Sequence, residues 1–245
     1  MEFTDDIGRR IILDKEPQRI VSLVPSLTET LADLGLGGRL IGVTRFCKYP
    51  KPLVEKLPKI GGPKRVKIDI IMELNPDIIF AVKEENNREQ ILKLAEHVPV
   101  VVFDINTLDD SLAMIKVLGS IFSVENIANE LIKKINDKIA LLSKVSRHRR
   151  AVYLIWKKPW MAAGNDTFIG SMMKLSGYDN VVSGRYPEVD YLMMEQAETL
   201  LMATEPYPFS EEERIELQNR FPDKSVAIVD GEFFAWYGTH ILNVH

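Results

Sequence analysis

One cysteine, Cys47, stands in 245 residues, so an internal disulfide is excluded and the redox compartment is left unmarked. Histidine occurs only at His97, His148, His240 and His245, and no two are spaced as a metal cluster. Positive charge is not in excess: 31 Lys and Arg against 35 Asp and Glu leave a net charge of −4, which gives no field favouring nucleic acid. No apolar run approaches the roughly 20 residues of a membrane span. The phosphate-cradling patterns G-x-x-x-x-G-K-[ST] and G-x-G-x-x-G are missing, as is the nucleophile elbow G-x-S-x-G. These gaps weigh against nucleic-acid binding, nucleotide-driven work and acyl-transfer chemistry. The opening, MEFTDDIGRRIILDKEP, is acidic and polar where a secretory signal is basic and then apolar. Read literally it predicts a cytoplasmic chain; removal of a signal, or export by a leader outside the numbering, are the alternatives.

What is present is ordinary globular material, 46% hydrophobic and 27% charged, enough for one large domain or two small ones. The chain is organised around the stretch Val124 to Ser146. Ile127, Leu131, Ile132, Ile135, Ile139 and Leu142 recur at three- and four-residue steps, while lysines, Asn136 and Asp137 fill the other face. With no Gly or Pro inside, it predicts a helix of roughly 35 Å. Two readings follow: a strut between two lobes, or a surface helix on a single α/β domain.

The flanks favour the strut. Before it, the runs at 19–24, 40–44, 78–82 and 98–103 read as buried strands, separated by helices at 26–34, 69–74, 88–97 and 109–122. Ser26 with Glu29 reads as a capping box, and Gly35 as a stop. After it, strands at 151–156, 200–203 and 226–229 alternate with helices at 168–176 and 211–220, the latter capped by Ser210. The two halves repeat one order of elements. The expected architecture is α/β: two α/β lobes with central parallel sheets, bridged by one long helix, with a ligand cleft between them. The boundaries are 1–123, 124–147 and 148–245.

Ligands of open α/β sheets sit outside the carboxyl ends of the strands. The loops there carry Pro25 and Ser26, Phe46, Cys47 and Tyr49, Lys83 and Glu84, then Trp156, Trp160, Phe168, Glu205, Tyr207, Trp236 and Tyr237. Rings gathered in such loops suit a large, flat, partly apolar ligand. Each ring taken singly is explained as well by packing of its loop against a sheet. Cys47 is a soft ligand or a passive half-buried thiol, and His240 faces the cleft or is a solvated or capping residue. The basic run 144–150 reads as the solvated end of the strut. No catalytic residue and no metal set is expected: carboxylates are not clustered at ligand spacing.

The stretches RIVSLVPSLTETLADLGL, IGVTRFCKYP, IGGPK and ELNPDIIFAVKEEN resemble the helical-backbone periplasmic substrate-binding proteins of ABC importers. YLIWKKPWMAAGNDTFI, RYP, TEPYPF and VDGEFFAWYG look like a vitamin B12-binding-like subgroup. The resemblance implies capture of a corrinoid, or of a ferric siderophore or haem, by a monomer that hands it to a membrane permease. The cobalamin or ferric chelate is then cargo, with no intrinsic cofactor, and the compartment is periplasmic or extracytoplasmic. Pro25, Phe46, Tyr49, Phe168 and Trp236 match ring-packing positions, and Ser26, Lys83, Glu84, Trp160, Tyr207 and Tyr237 share their loops. Asp69 matches the acidic residue by which one lobe meets the permease, and Glu188 or Asp190 is the candidate on the other. The sequence departs from its relatives where His240 replaces arginine and where the chain stops at His245, before their terminal helix. An intracellular tetrapyrrole- or metal-handling protein, or an enzyme on the same fold, is the other class; it would draw on Cys47, Glu84, Glu205 and His240.

Overall fold

The computed structural model describes residues 1–143 and 148–243. The tail of the expected bridging segment, 144–147, and the last two residues lie outside the described residues. Two compact units emerge. Unit 1 comprises Met1–Ile105, Asp109–Ile135 and Tyr237–His245; unit 2 comprises Asn106–Leu108 and Asn136–Trp236.

The strands of unit 1 are β1 (Glu2–Thr4), β2 (Arg10–Ile12), β3 (Ile20–Ser22), β4 (Leu40–Val43), β5 (Gly61–Gly62), β6 (Arg65–Val66), β7 (Ile78–Val82) and β8 (Val100–Phe103). Four form a wholly parallel sheet in the order β4-β3-β7-β8. The run Ile-Ile-Phe-Ala-Val of β7 is buried at every position, as a strand covered on both faces must be. The exposed edge of such a sheet invites pairing with other chains. Here the β1–β2 hairpin closes it: Asp5 Oδ2 accepts from Val102 N–H at 3.2 Å and from Arg9 Nη2 at 2.7 Å, while Arg9 Nη2 also donates to Val100 O at 2.7 Å.

The helices are α1 (Pro25–Leu31), α2 (Lys51–Val54), α3 (Ile68–Glu73), α4 (Arg88–Ala95), α5 (Leu108–Ile121) and α6 (Glu125–Leu142). α1 differs from expectation at its start. Pro25 takes the first helical position and Val24 the cap, with no side-chain cap bond, so Ser26 and Glu29 form no capping box. The stop at Gly35 is met, at φ 83° within a widened turn over Ala32–Leu36. α5 and α6 approach closely at Gly119, where a Cβ would lie 2.6 Å from that of Ala128.

α6 is the expected long helix, and it runs from unit 1 into unit 2, the division falling between Ile135 and Asn136 rather than at either end of 124–147. Its apolar face is only partly used. Ile135 and Ala128 are buried, whereas Ile127 is 40% exposed.

Unit 2 holds β9 (Arg149–Trp156), β10 (Met161–Ala163), β11 (Tyr178–Asn180), β12 (Thr199–Ala203) and β13 (Ser225–Val229). β9, β12 and β13 are parallel, and β11 adds parallel to the start of β9. β10 is antiparallel to β9, so this sheet is mixed where a parallel one is expected. The helices are α7 (Phe168–Leu175), α8 (Tyr191–Glu195), α9 (Glu211–Arg220) and α10 (Gly231–Ala235). Thr167, Asp190, Ser210 and Asp230 cap them in turn, and Ser210 with Glu213 completes a capping box. The core gathers Val152, Leu154, Met194, Leu200, Met202, Leu217 and Phe221. Truncating one such leucine to alanine costs about 2–5 kcal/mol.

The C-terminal segment departs from the expected lobe 148–245. Tyr237–His245 groups with unit 1, because Gly238 N–H donates to Ser111 Oγ at 2.8 Å and Thr239 N–H to Thr30 Oγ1 at 3.2 Å.

Candidate functional site

In unit 1 the loops after β3, β4 and β7 collect the candidates. Pro25 and Ser26 form the first turn of α1 and are buried, so they shape the site through backbone more than through exposed side chains. The loop after β4 does the opposite. Phe46 is 48% exposed and Tyr49 41% exposed. Phe46 lies over Gly62, where a Cβ would come within 3.1 Å of its ring, and the Arg45 guanidinium sits 4.8 Å from the ring centroid. Tyr49 meets the ring of His240 at 5.9 Å between centroids.

Between these two rings Cys47 turns inward. Its Sγ lies 3.2 Å from both Thr28 Oγ1 and Thr44 Oγ1, and burial pushes the thiol pKa up. A neutral, hydrogen-bonded thiol is a poor nucleophile and a poor soft ligand. The passive reading holds, with the side chain buried rather than half-buried.

After β7, exposed Lys83 pairs with Asp104, and the half-buried Glu84 accepts from Lys64 Nζ through its carbonyl. The next residue, Glu85, takes a hydrogen bond of 2.6 Å from Tyr237 OH. Tyr237 is buried; burial first, then the Glu85 charge, lifts its pKa well above the usual 10. His240, expected to be cleft-facing, solvated or capping, is buried instead, with Nδ1 2.8 Å from Glu29 Oε2.

In unit 2 the aromatic residues assemble. Trp156, 42% exposed, meets Tyr207 edge-on at 5.4 Å; Tyr207 tilts against Phe209 at 4.7 Å; Trp160 stacks on Phe209 at 5.8 Å. Polar bonds hold the group. Tyr207 OH donates to Glu213 at 2.7 Å, and Lys157 reaches Glu216 at 2.8 Å and Glu213 at 3.3 Å. Burial pushes Glu213 upward, but Ser210 N–H, Tyr207 and Lys157 outweigh it and hold the carboxyl below its ordinary value. Lys157 also stands 5.5 Å from the Trp160 centroid.

Phe168 and Trp236 are buried, and the Trp236 Nε1–H donates to Glu205 Oε1 at 2.9 Å. Glu205 therefore serves a ring position.

The acidic docking candidates are all exposed. Asp69 sits in the first turn of α3, Glu188 pairs by backbone with Met161, and Asp190 caps α8 by accepting from Met193 N–H at 2.8 Å. Among the described residues no group of three or more His, Cys, Asp or Glu could hold a metal ion. Sequence reasoning gave Glu29 only a capping role, named Glu85 only as part of the loop after β7, and passed over Arg45 and Phe209. The roles of the first two could not have been found from local pattern, since their partners lie at the other end of the chain. Arg45 beside Phe46 was a readable cation–aromatic pair.

A sequence profile described as Periplasmic binding protein matches residues 20–199. The Vitamin B12-binding protein of Pectobacterium carotovorum is 26% identical over 201 residues, covering 78% of this chain and 72% of the relative. Across three curated relatives the chain spans 57 to 72% of their own length. Two solved structures share the fold. The periplasmic vitamin B12 binding protein of Vibrio cholerae superposes with a TM-score of 0.78 at 20% identity, covering 93% of each chain. A periplasmic heme-binding protein from Roseiflexus gives 0.79 at 18% identity, covering 92% of this chain and 94% of its own.

Proposed function

The chain belongs to the periplasmic binding protein family, and from that premise we propose that it is the substrate-binding protein of an ABC importer that captures a corrinoid, a vitamin B12-like ligand. The observation that carries this reading is the alignment of 78% of the chain with a protein named Vitamin B12-binding protein. The site chemistry supports it. Phe46 and Tyr49 in unit 1, and Trp156 braced by Tyr207 in unit 2, offer ring faces to solvent at strand-end loops. Each such face stacked on a macrocycle contributes about 0.5–1.5 kcal/mol beyond its buried area. Trp160 and Phe168 stiffen the unit 2 loops, Trp236 with Glu205 does the same, and Pro25 and Ser26 shape the turn in unit 1. Lys83 and Glu84 supply polar contacts at the rim, and Tyr237 fixes Glu85.

The cargo is the cobalamin itself or, as the second reading, a ferric siderophore or haem on the same loops; the protein carries no resident cofactor. Capture is reversible and without turnover, by a monomer in an extracytoplasmic compartment. Among the described residues no helix is long and apolar enough to cross a membrane. The permease partner is met through Asp69 on unit 1 and Glu188 or Asp190 on unit 2.

The test is calorimetric titration of the full chain with cyanocobalamin, with a ferric hydroxamate and haem in parallel. A dissociation constant of about 1 μM or tighter for cobalamin, weakened on Phe46→Ala, supports the corrinoid reading. Saturable binding of only a ferric chelate or haem replaces the ligand and keeps the module. Silence with all three overturns the assignment.

A further inference from the structure

Glu29 lies in α1, a helix whose seven side chains are all buried. A carboxylate in such a place is costly unless it is paired and hydrogen-bonded. Its partners come from the opposite end of the sequence. Oε2 lies 2.8 Å from His240 Nδ1, and Oε1 accepts from Asn243 Nδ2 at 2.8 Å. The same segment is fastened at two further points, Gly238 N–H to Ser111 and Thr239 N–H to Thr30. Held this way, the His240 ring is tilted 32° against the ring of Tyr49, 5.9 Å away. Glu29, His240 and Tyr49 thus form one line, from a buried charge to an exposed aromatic face, within unit 1.

We propose that Glu29 is a positioning residue for the ligand site: by fixing the His240 ring it holds Tyr49 in the orientation that meets the ligand. The inference rests on the binding reading above and names a residue through which that site is tuned. The physical basis is pre-organisation. An exposed tyrosine loses rotamer freedom when a ligand stacks on it, and a ring already seated against His240 has less to lose. Removing the anchor restores that loss, worth about three- to tenfold in affinity.

The experiment compares wild type, Glu29→Gln, His240→Ala, their double variant, and Glu29→Gln in a Tyr49→Ala background. Each is titrated with cyanocobalamin, ferric hydroxamate and haem, and each urea midpoint is recorded. The expected result is a three- to tenfold rise in Kd for either single variant, and no further rise in the double. Glu29→Gln should then have no effect once Tyr49 is alanine. Additive losses that follow the urea midpoint, or unchanged Kd values in a binding-competent protein, overturn the inference alone. Failure of wild type to bind any of the three probes overturns the binding reading and this inference with it. If Glu29→Gln does not fold, Asn243→Ala and His240→Ala carry the same comparison.

Discussion

The phenol of Tyr237 donates a 2.6 Å hydrogen bond to Oε1 of Glu85, joining residues 152 positions apart. The pair seats the end of the aromatic loop on unit 1, and it makes Tyr237 a residue that resists ionisation. Burial, the Glu85 charge and the bond to Glu85 all favour the protonated phenol. The native state therefore keeps a proton that the unfolded chain releases near pH 10, so stability is fully present below that value and falls as pH rises above it. In an alkaline titration followed by phenolate absorbance, Tyr237 should ionise only on unfolding. Tyr237→Phe should shrink that late step by one phenol, leaving the share of Tyr153, which burial also keeps protonated. It should also lower stability by about 1–2 kcal/mol in urea, because Glu85 loses its donor. A variant with the wild-type midpoint would show that the bond contributes nothing.

Two tryptophans differ in a way that optical probes can read. Trp156 is 42% exposed, whereas Trp236 is buried with its indole N–H bonded to Glu205. Acrylamide should quench Trp156 strongly, the partly buried Trp160 less and Trp236 weakly, and Trp156→Phe should reduce the quenchable emission. A ligand that stacks on unit 2 should protect the same emission. If quenching survives Trp156→Phe undiminished, the exposed ring is not where the fold puts it.

Much of this fold was legible because strands buried on both faces are written as continuous β-branched runs; Ile78–Val82 needed no context. α6 was legible from its period, yet its period did not say how much of the face is covered, and Ile127 remains open. Short elements escaped. β10 has three residues, Met-Ala-Ala, and its pairing with β9 comes from the turn between them. Ser26–Glu29 misled for a physical reason. A proline one residue earlier pre-set the helix start, and the glutamate was reserved for His240, 211 residues away. The candidate site was legible as a set of loops, since loop aromatics are conspicuous. Which rings are open (Phe46, Tyr49, Trp156) and which are sealed (Phe168, Trp236, Tyr237) depends on contacts that no local pattern encodes.

Asp33 gives a pH dependence of its own. Burial raises its pKa, the nearby Thr239 hydroxyl opposes that, and the Glu29 charge adds to it. In the interval between its unfolded and folded values the native state binds more protons than the unfolded chain, so this group makes stability rise as pH falls. Asp33→Asn should remove that slope while leaving the alkaline limb untouched. Urea midpoints followed upward from about pH 4, the value of an unfolded aspartate, measure it. A slope equal in both proteins would assign the effect to other carboxylates.

Gly238 is a position where backbone and packing both call for glycine. Its φ is +72°, and a Cβ there would lie 2.1 Å from Thr30 Oγ1 and 3.2 Å from Met114 Cε. Gly238→Ala meets two penalties: about 1–2 kcal/mol for an L-residue in the left-handed region, and about 1–3 kcal/mol for overpacking. The two can be separated. Thr30→Ala removes the offending oxygen at the cost of the bond from Thr239 N–H, about 1 kcal/mol. In that background Gly238→Ala should cost only the backbone term, so the double variant should be more stable than the sum of the singles predicts. Strict additivity would mean that the segment shifts away from α1 to make room. Hydrogen exchange at Thr239 would then rise in Gly238→Ala alone, and the anchoring role given to Glu29 and His240 would have to be reassigned.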